Sequence, residues 1–294
     1  MSDVLVLERP AGFANVTRDY LELSKSRIVM MVLITTAAGY AFASPRIDWI
    51  LLLNTLLGTA LVAAGTNALN QYIERDHDAK MRRTRLRPLP DGRIAPRAAL
   101  VFAIAISVLG TLYLGVAVNW LTAALGAFTL ISYIFVYTPL KRVSTICTLI
   151  GAIPGAIPPL MGWTAATGVL GTGGWIIFAI LFFWQLPHFM AISWMYRDDY
   201  ARGGFAMLSV RDDDGRMTAR HAVFYSFALL TVSVLPPLFG LSTFVYLTGA
   251  LLAGGALTFA SFAFLGSRTP LRARRLFMAS NIYLIVMMAL LVFA

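Results

Sequence analysis

A single cysteine, Cys147, is the chain's only thiol, so it has neither a disulfide framework nor a thiolate-held metal centre. Charge is scarce as well. Asp, Glu, Lys and Arg make up 13% of the residues against 59% that are hydrophobic, too little polar surface to clothe a soluble globule. Acidic residues are the scarcer sign, 14 against 24 basic, and a net charge of +10 ordinarily raises nucleic acid as a partner. The Lys and Arg residues fall between apolar runs, however, where they act as topology determinants, so the pattern argues for membrane lipid as the surroundings and for no nucleic acid. Residues 1–24 carry Asp3, Glu8, Asp19 and Glu22 and lack a basic start, an apolar run and a small-residue cleavage site. The first apolar helix is then expected to act as the targeting signal.

Long hydrophobic runs are what the chain does have. A helix crossing the hydrocarbon core needs about 20 mostly apolar residues. The charge-free runs 28–45, 49–73 and 276–294 supply one span each, whereas 98–140, 143–196 and 222–267 are each long enough for a hairpin. Reversals are expected at Asn119 with Trp120, at Thr167 to Gly174, and at Pro236, Pro237 and Gly240. The predicted fold is all-α, about nine transmembrane helices forming one domain over 1–294, with a leading segment 1–24 and active-site loops at 74–97 and 197–221. All basic residues except Arg46 then share a face with the N-terminus. The positive-inside rule makes that face cytoplasmic and puts the C-terminus on the outer side, in a cell inner membrane. No charge sits near the middle of any span, which disfavours an ion or proton pathway. Pro154, Pro158, Pro159 and Pro187 fall within spans, marking kinks or a lined cavity.

The acidic residues concentrate in two loops. Asn70, Glu74 and Asp78 are spaced i, i+4, i+8, which puts three oxygen ligands on one stripe of a continuing helix. Like charges four apart repel unless a cation lies between them, and hard oxygen ligands favour Mg2+ completed by substrate phosphate. Arg82, Arg83, Arg85 and Arg87 follow at once, suited to hold phosphate oxygens bidentately. The competing reading is a set of exposed ion pairs of little worth. A second loop offers Tyr196, Arg197, Asp198, Asp199, Tyr200 and Arg202, four helices on, so a four-helix pseudo-repeat would set the two loops across one cavity. Asp212, Asp213 and Asp214 before Gly215 are expected to be a solvated turn.

The stretch Asn70, Glu74, Asp78, Met81, Arg83, Thr84, Arg87 and Gly92 resembles the signature of the UbiA-type intramembrane prenyltransferases, with His77 standing where an aliphatic or aromatic residue is usual. Within that superfamily the chain is similar along nearly its whole length to the protoheme IX farnesyltransferase branch, the haem O synthases. The likeness runs through YLELSKSRIVMMVLITTAAGY near the start, YTPLKR at 137–142, GAIPGAIPPLMGW at 151–163, WQLPHFMAISWMYRDDYARGGFAMLSV at 184–210 and ARRLFMASNIYL at 273–284. Ser26 stands where proline is usual, Cys147 where asparagine is expected, and Arg202 and Gly203 where a second aspartate pair would continue.

The resemblance implies a helical bundle around a central cavity and Mg2+-assisted ionisation of farnesyl diphosphate. A vinyl group of haem b, a substrate rather than a resident cofactor, captures the allylic cation, and water completes the product haem O. It also implies roles. Asn70, Glu74, Asp78, Asp199 and Asp198 are expected at the metal, and Arg83, Arg87 and Lys141 on phosphate oxygens, with Tyr137 beside them and Arg142 a ligand or a membrane anchor. His188 is expected near haem, and Phe182, Phe183, Trp184, Phe189 and Trp194 either line the isoprenoid slot or pack. Pathway logic adds haem A synthase or a terminal oxidase as recipients. Prenylation of a quinone or phenolic precursor is the nearest alternative; a transporter and a non-catalytic scaffold are the rivals of other classes.

Overall fold

The computed structural model describes residues 13–293, so the expectations placed on Asp3 and Glu8 lie outside the described residues. A short amphipathic helix, α1 (Phe13–Leu23), precedes the first apolar one. Among the described residues nine helices are long and apolar enough to cross a membrane. They are α2 (Ser26–Ala43), α3 (Trp49–Asp78), α4 (Pro96–Ala117), α5 (Trp120–Leu140), α6 (Cys147–Thr167), α7 (Thr172–Met195), α8 (Arg216–Leu238), α9 (Phe244–Gly266) and α10 (Pro270–Phe293). The three expected reversals fall between α4 and α5, α6 and α7, and α8 and α9.

Local chemistry sets the boundaries. Asp48 Oδ1 accepts from Leu51 N at 3.0 Å to start α3, and Asn119 Oδ1 accepts from Thr122 N at 2.8 Å to start α5. Pro96 opens α4, where a missing N–H costs nothing, and Gly168, at φ 74°, ends α6. In α5, Pro139 cannot donate back along the helix, and Ser132–Tyr137 widen into a π-helical turn that carries Tyr133 and Tyr137.

Each span packs on its neighbour in sequence, and α10 closes the ring against both α7 and α2. Without water inside the bilayer to drive helices together, small residues and polar contacts hold them. Gly39 of α2 and Gly162 of α6 mark the closest crossing: a Cβ on Gly39 would lie 2.0 Å from Pro159 O, and one on Gly162 1.9 Å from Thr36 O. Ser226 and Ser261 share a hydrogen bond at 2.8 Å between α8 and α9, and Ser233 bonds Tyr283 between α8 and α10. Pro154 and Pro158 stand in the wall of a central cavity, so their freed backbone borders a chamber.

The basic loops meet on one face. Arg268 Nε donates to Asp214 O at 2.8 Å, Arg93 pairs with Asp19 and Glu22 of α1, and Ala206 N donates to Lys141 O at 2.7 Å. The three-aspartate run is a turn at Asp213 and Asp214, but Asp212 departs from the expected solvated state. It is buried, and its Oδ2 accepts from Thr218 N at 2.6 Å, serving the start of α8.

Candidate active site

The site grows from one stripe of α3. Asn70, Glu74 and Asp78 follow one another turn by turn and are all buried. Carboxylates this dry need cations, and each of the three groups receives one from a different segment. Lys25 Nζ donates to Asn70 Oδ1 at 2.9 Å. Lys141 Nζ reaches both oxygens of Glu74, at 2.9 and 3.2 Å. Arg87 pairs with Asp78 Oδ2 at 2.6 Å. Asn70 Nδ2 also donates to Thr138 Oγ1 at 3.3 Å, which fixes the amide's orientation.

These groups wall a cavity of about 230 Å3, joined there by Arg83, Tyr133, Tyr200 and Phe205. Four cations, Lys25, Arg83, Arg87 and Lys141, face two carboxylates, so the wall carries a positive surplus suited to a polyanion. Lys25 reports the same imbalance: burial first, and then the charge of Arg87, lower its pKa to about 7. Lys141 behaves oppositely. Burial alone would lower it, yet the Glu74 carboxylate beside it holds it above the ordinary lysine value. Two oxygens of this wall stand bare: Asp78 Oδ1 and Thr148 Oγ1 are buried without hydrogen-bond partners, and the first is a carboxylate oxygen. An unmet buried acceptor costs about 1–3 kcal/mol, so the Asp78 oxygen is open to a ligand cation. Among the described residues no three His, Cys, Asp or Glu side chains converge as a metal cage. A hard cation here would take one or two carboxylates and draw its other ligands from water and substrate.

The second loop closes over the first. Asp199 Oδ1 accepts from Arg82 N at 3.2 Å and pairs with Arg202. Burial would raise Asp199, but these donors outweigh it and leave its pKa below the usual carboxylate range. His77 joins the two loops: its Nδ1 lies 2.7 Å from Gly203 O and its ring 5.4 Å from that of Phe205. Phe205 in turn lies under Lys141 Nζ at 4.8 Å.

Below the polar cavity lies a larger apolar one, about 590 Å3, walled by α2, α3, α5, α6, α7 and α10. The two share Ile28, Tyr133, Tyr137, Phe189 and Ile192, so one chamber has a charged end and a greasy body. His188 stands in the apolar wall, its Nδ1 at 2.9 Å from Ser280 Oγ and its ring 4.9 Å from those of Trp184 and Phe277. Ser280 spends its one hydroxyl proton on Phe277 O at 2.7 Å. With Nδ1 as the donor to Ser280, the neutral ring would keep a free lone pair on Nε2.

Residues 32–285 match the UbiA prenyltransferase family. The chain belongs to that family. Among its relatives, the protoheme IX farnesyltransferase of Solibacter usitatus is 48% identical over 277 residues, which cover 91% of this chain and 95% of that one. The protoheme IX farnesyltransferase of Koribacter versatilis is 43% identical, over 98% of this chain and 96% of the other. A solved UbiA homologue from Archaeoglobus fulgidus, bound to GPP and Mg2+, shares the fold at a TM-score of 0.69 and 16% identity, covering 93% of this chain and 99% of its own. As a UbiA prenyltransferase, this chain is an enzyme rather than a transporter or scaffold.

Most of the residues singled out by sequence lie in the walls of this prenyltransferase chamber. Asn70, Glu74, Asp78, Arg83, Arg87, Tyr137 and Lys141 line the polar end, and His188, Trp184 and Phe189 the apolar body. Asp199, Asp198 and Arg142 stand in neither wall. Asp199 is spent on Arg82 and Arg202, the Asp198 side chain is 84% exposed, and Arg142 donates to Ile73 O at 3.2 Å. Trp194 is an anchor, donating from Nε1 to Arg268 O at 2.9 Å. Sequence reasoning missed Lys25, Tyr133 and Phe205. Lys25 is the one non-glycine residue with positive φ, 52°, among the described residues, and that left-handed turn between α1 and α2 aims it at Asn70. Its position three residues before a charge-free run reads only as topology.

Proposed function

We propose that this UbiA prenyltransferase moves a farnesyl group from farnesyl diphosphate to a vinyl group of haem b, giving haem O. The observation that carries the reading is the continuity between a cation-rich cavity with a bare Asp78 oxygen and an apolar chamber bearing His188. The acceptor rests on the relatives' shared name, protoheme IX farnesyltransferase.

Lys25, Lys141, Arg83 and Arg87 bind the diphosphate oxygens. As they do so, Lys141 and Arg87 move part of their pairing from Glu74 and Asp78 to the phosphates, which frees those carboxylates for Mg2+. The residues fit the ion: Asp78, Glu74 and Asn70 offer hard oxygen atoms, one of them already bare. When bound, Mg2+ would neutralise charge on the departing diphosphate, and a homologue of the same fold has been solved with GPP and Mg2+ bound. Asp199 acts beside this set by holding the Arg82 backbone and the second loop in place. The C1–O bond of the donor breaks with its electron pair going to diphosphate, whose charge the lysines and arginines stabilise where it develops. The apolar wall keeps water from the allylic cation until the vinyl carbon has bonded to C1. Water then adds to the adjacent vinyl carbon and its proton leaves, completing the hydroxyethylfarnesyl group. His188 Nε2 holds the acceptor through its iron.

The basic face is the cytoplasmic one, and α10 ends on the outer side. Incubation of the purified chain with farnesyl diphosphate, Mg2+ and haem b, followed by mass analysis for haem O, tests the reading. Product that disappears with EDTA supports it; prenylation of a phenolic acid but not of haem overturns the acceptor.

A further inference from the structure

Only one charged side chain enters the wall of the apolar chamber among the described residues, and the reaction above does not use it. That residue is Arg27, in the first turn of α2, next to Ile28, Met31 and Val32 of the same wall. It is exposed, and neither it nor Arg274 has a carboxylate partner among the described residues. Arg274 belongs to the stripe of α10 that runs Arg274, Phe277, Asn281 and Leu284, the last three of which line the same chamber. Helices α2 and α10 pack together and both start from the basic face, so Arg27 and Arg274 lie toward the same end of the chamber, its rim.

We propose that Arg27, assisted by Arg274, binds the two propionate carboxylates of the porphyrin acceptor at the rim of the apolar chamber. The proposal rests on the haem reading given above. A planar macrocycle with two adjacent acidic side chains needs an apolar slot with cations at one edge only, and guanidinium groups match carboxylates bidentately. The two vinyl groups lie on the opposite half of the macrocycle from the propionates. Anchoring the acids at the rim therefore turns the vinyl edge inward, toward Tyr133, Tyr137 and Phe189, where chamber and cage share a wall. A quinone or phenol has no second acid and gains nothing from such a rim, so the pair sets acceptor specificity. An anionic lipid headgroup shares the carboxylate's charge and is the other ligand that two unpaired arginines at this level would attract.

The test compares haem b with its dimethyl ester in the full-length chain in nanodiscs made only of neutral lipid. With Arg27→Gln, KM for haem b is expected to rise about tenfold or more while KM for farnesyl diphosphate stays within about twofold, the loss typical of one charge-assisted pair. The unmodified chain should handle the ester as poorly as Arg27→Gln handles haem b, and Arg27→Gln should add no further loss on the ester. Arg27→Lys should recover part of the affinity for haem b, and Arg274→Gln should repeat the pattern more weakly. Equal loss on haem b and ester, or no loss on either, overturns the proposal and leaves the arginines as lipid or topology anchors. If the unmodified chain makes no haem O, the function reading itself has failed. If it makes haem O and accepts the ester equally well, only the rim has failed.

Discussion

The charged end and the apolar body of the chamber are built by opposite rules. At the charged end nearly every group is already spent. Lys25 is on Asn70, Lys141 on Glu74, Arg87 on Asp78 and Arg202 on Asp199, with Asp78 Oδ1 left over. In the apolar body the wall is mostly hydrocarbon, and its one histidine has Nδ1 held against Ser280. The first region is an electrostatic device held closed by its own counter-charges; the second is a dry receptacle that selects by shape. Bond breaking belongs to the first and acceptor choice to the second, so substitutions should separate along that line.

The largest expected effect comes from spoiling the cage. Asp78→Asn or Glu74→Gln should lower kcat at least about 100-fold, as loss of a leaving-group stabiliser does, with KM for haem b little changed in steady-state assays. EDTA should do the same to the unmodified chain, with activity restored by Mg2+. Next in size is Lys141→Met, which strands a buried Glu74 charge and should cost about 3–5 kcal/mol of stability in detergent unfolding. Adding Glu74→Gln should return most of that stability but none of the activity, which separates the pair's structural part from its chemistry. Lys25→Ala should raise KM for farnesyl diphosphate about tenfold, the worth of one charge-assisted contact, while leaving the acceptor's KM alone. His188→Ala should give the mirror image, weakening haem b about tenfold with the donor untouched, the worth of the single contact proposed for its ring.

The smallest effect concerns the loop clamp. Asp199 has a folded pKa below its unfolded value, so the stability it contributes is complete above about pH 4 and fades as pH falls through the depressed folded value. Asp199→Asn should flatten that acid limb in thermal unfolding curves by under about 1 kcal/mol, since Arg202 is itself substantially exposed. An equally steep acid limb in the variant would assign the effect to another carboxylate.

The nine spans were legible because hydrocarbon tolerates almost no charge, so the charge-free runs and their reversal residues map directly onto helices. The stripe Asn70, Glu74 and Asp78 was legible because it is local: 3.6 residues per turn puts the three on one face whatever else the chain does. The long-range partners were not. Nothing near Lys25 tells that Asn70, 45 residues on, will hold it, and its left-handed backbone has no glycine or asparagine to announce it. Phe205 and His77 meet across 128 positions through a loop whose path depends on Lys141. The pairing of Asp199 with Arg202 and with the Arg82 backbone was likewise out of reach, because only the fold brings the second loop onto the first. Asp212 was read with its neighbours as solvated because its capping partner, Thr218, is identified only by the fold.

The division between cage and receptacle is tested most directly by a structure of the chain with Mg2+ and farnesyl thiolodiphosphate, which binds but ionises slowly. The account predicts the diphosphate on Lys25, Arg87 and Lys141, the metal on Asp78 with Glu74 or Asn70, and the tail running past Tyr133 and Phe189 into the apolar body. A diphosphate seated instead on the exposed face of Asp198 and Arg197, with the cavity pairs of Glu74 and Asp78 undisturbed, would contradict it.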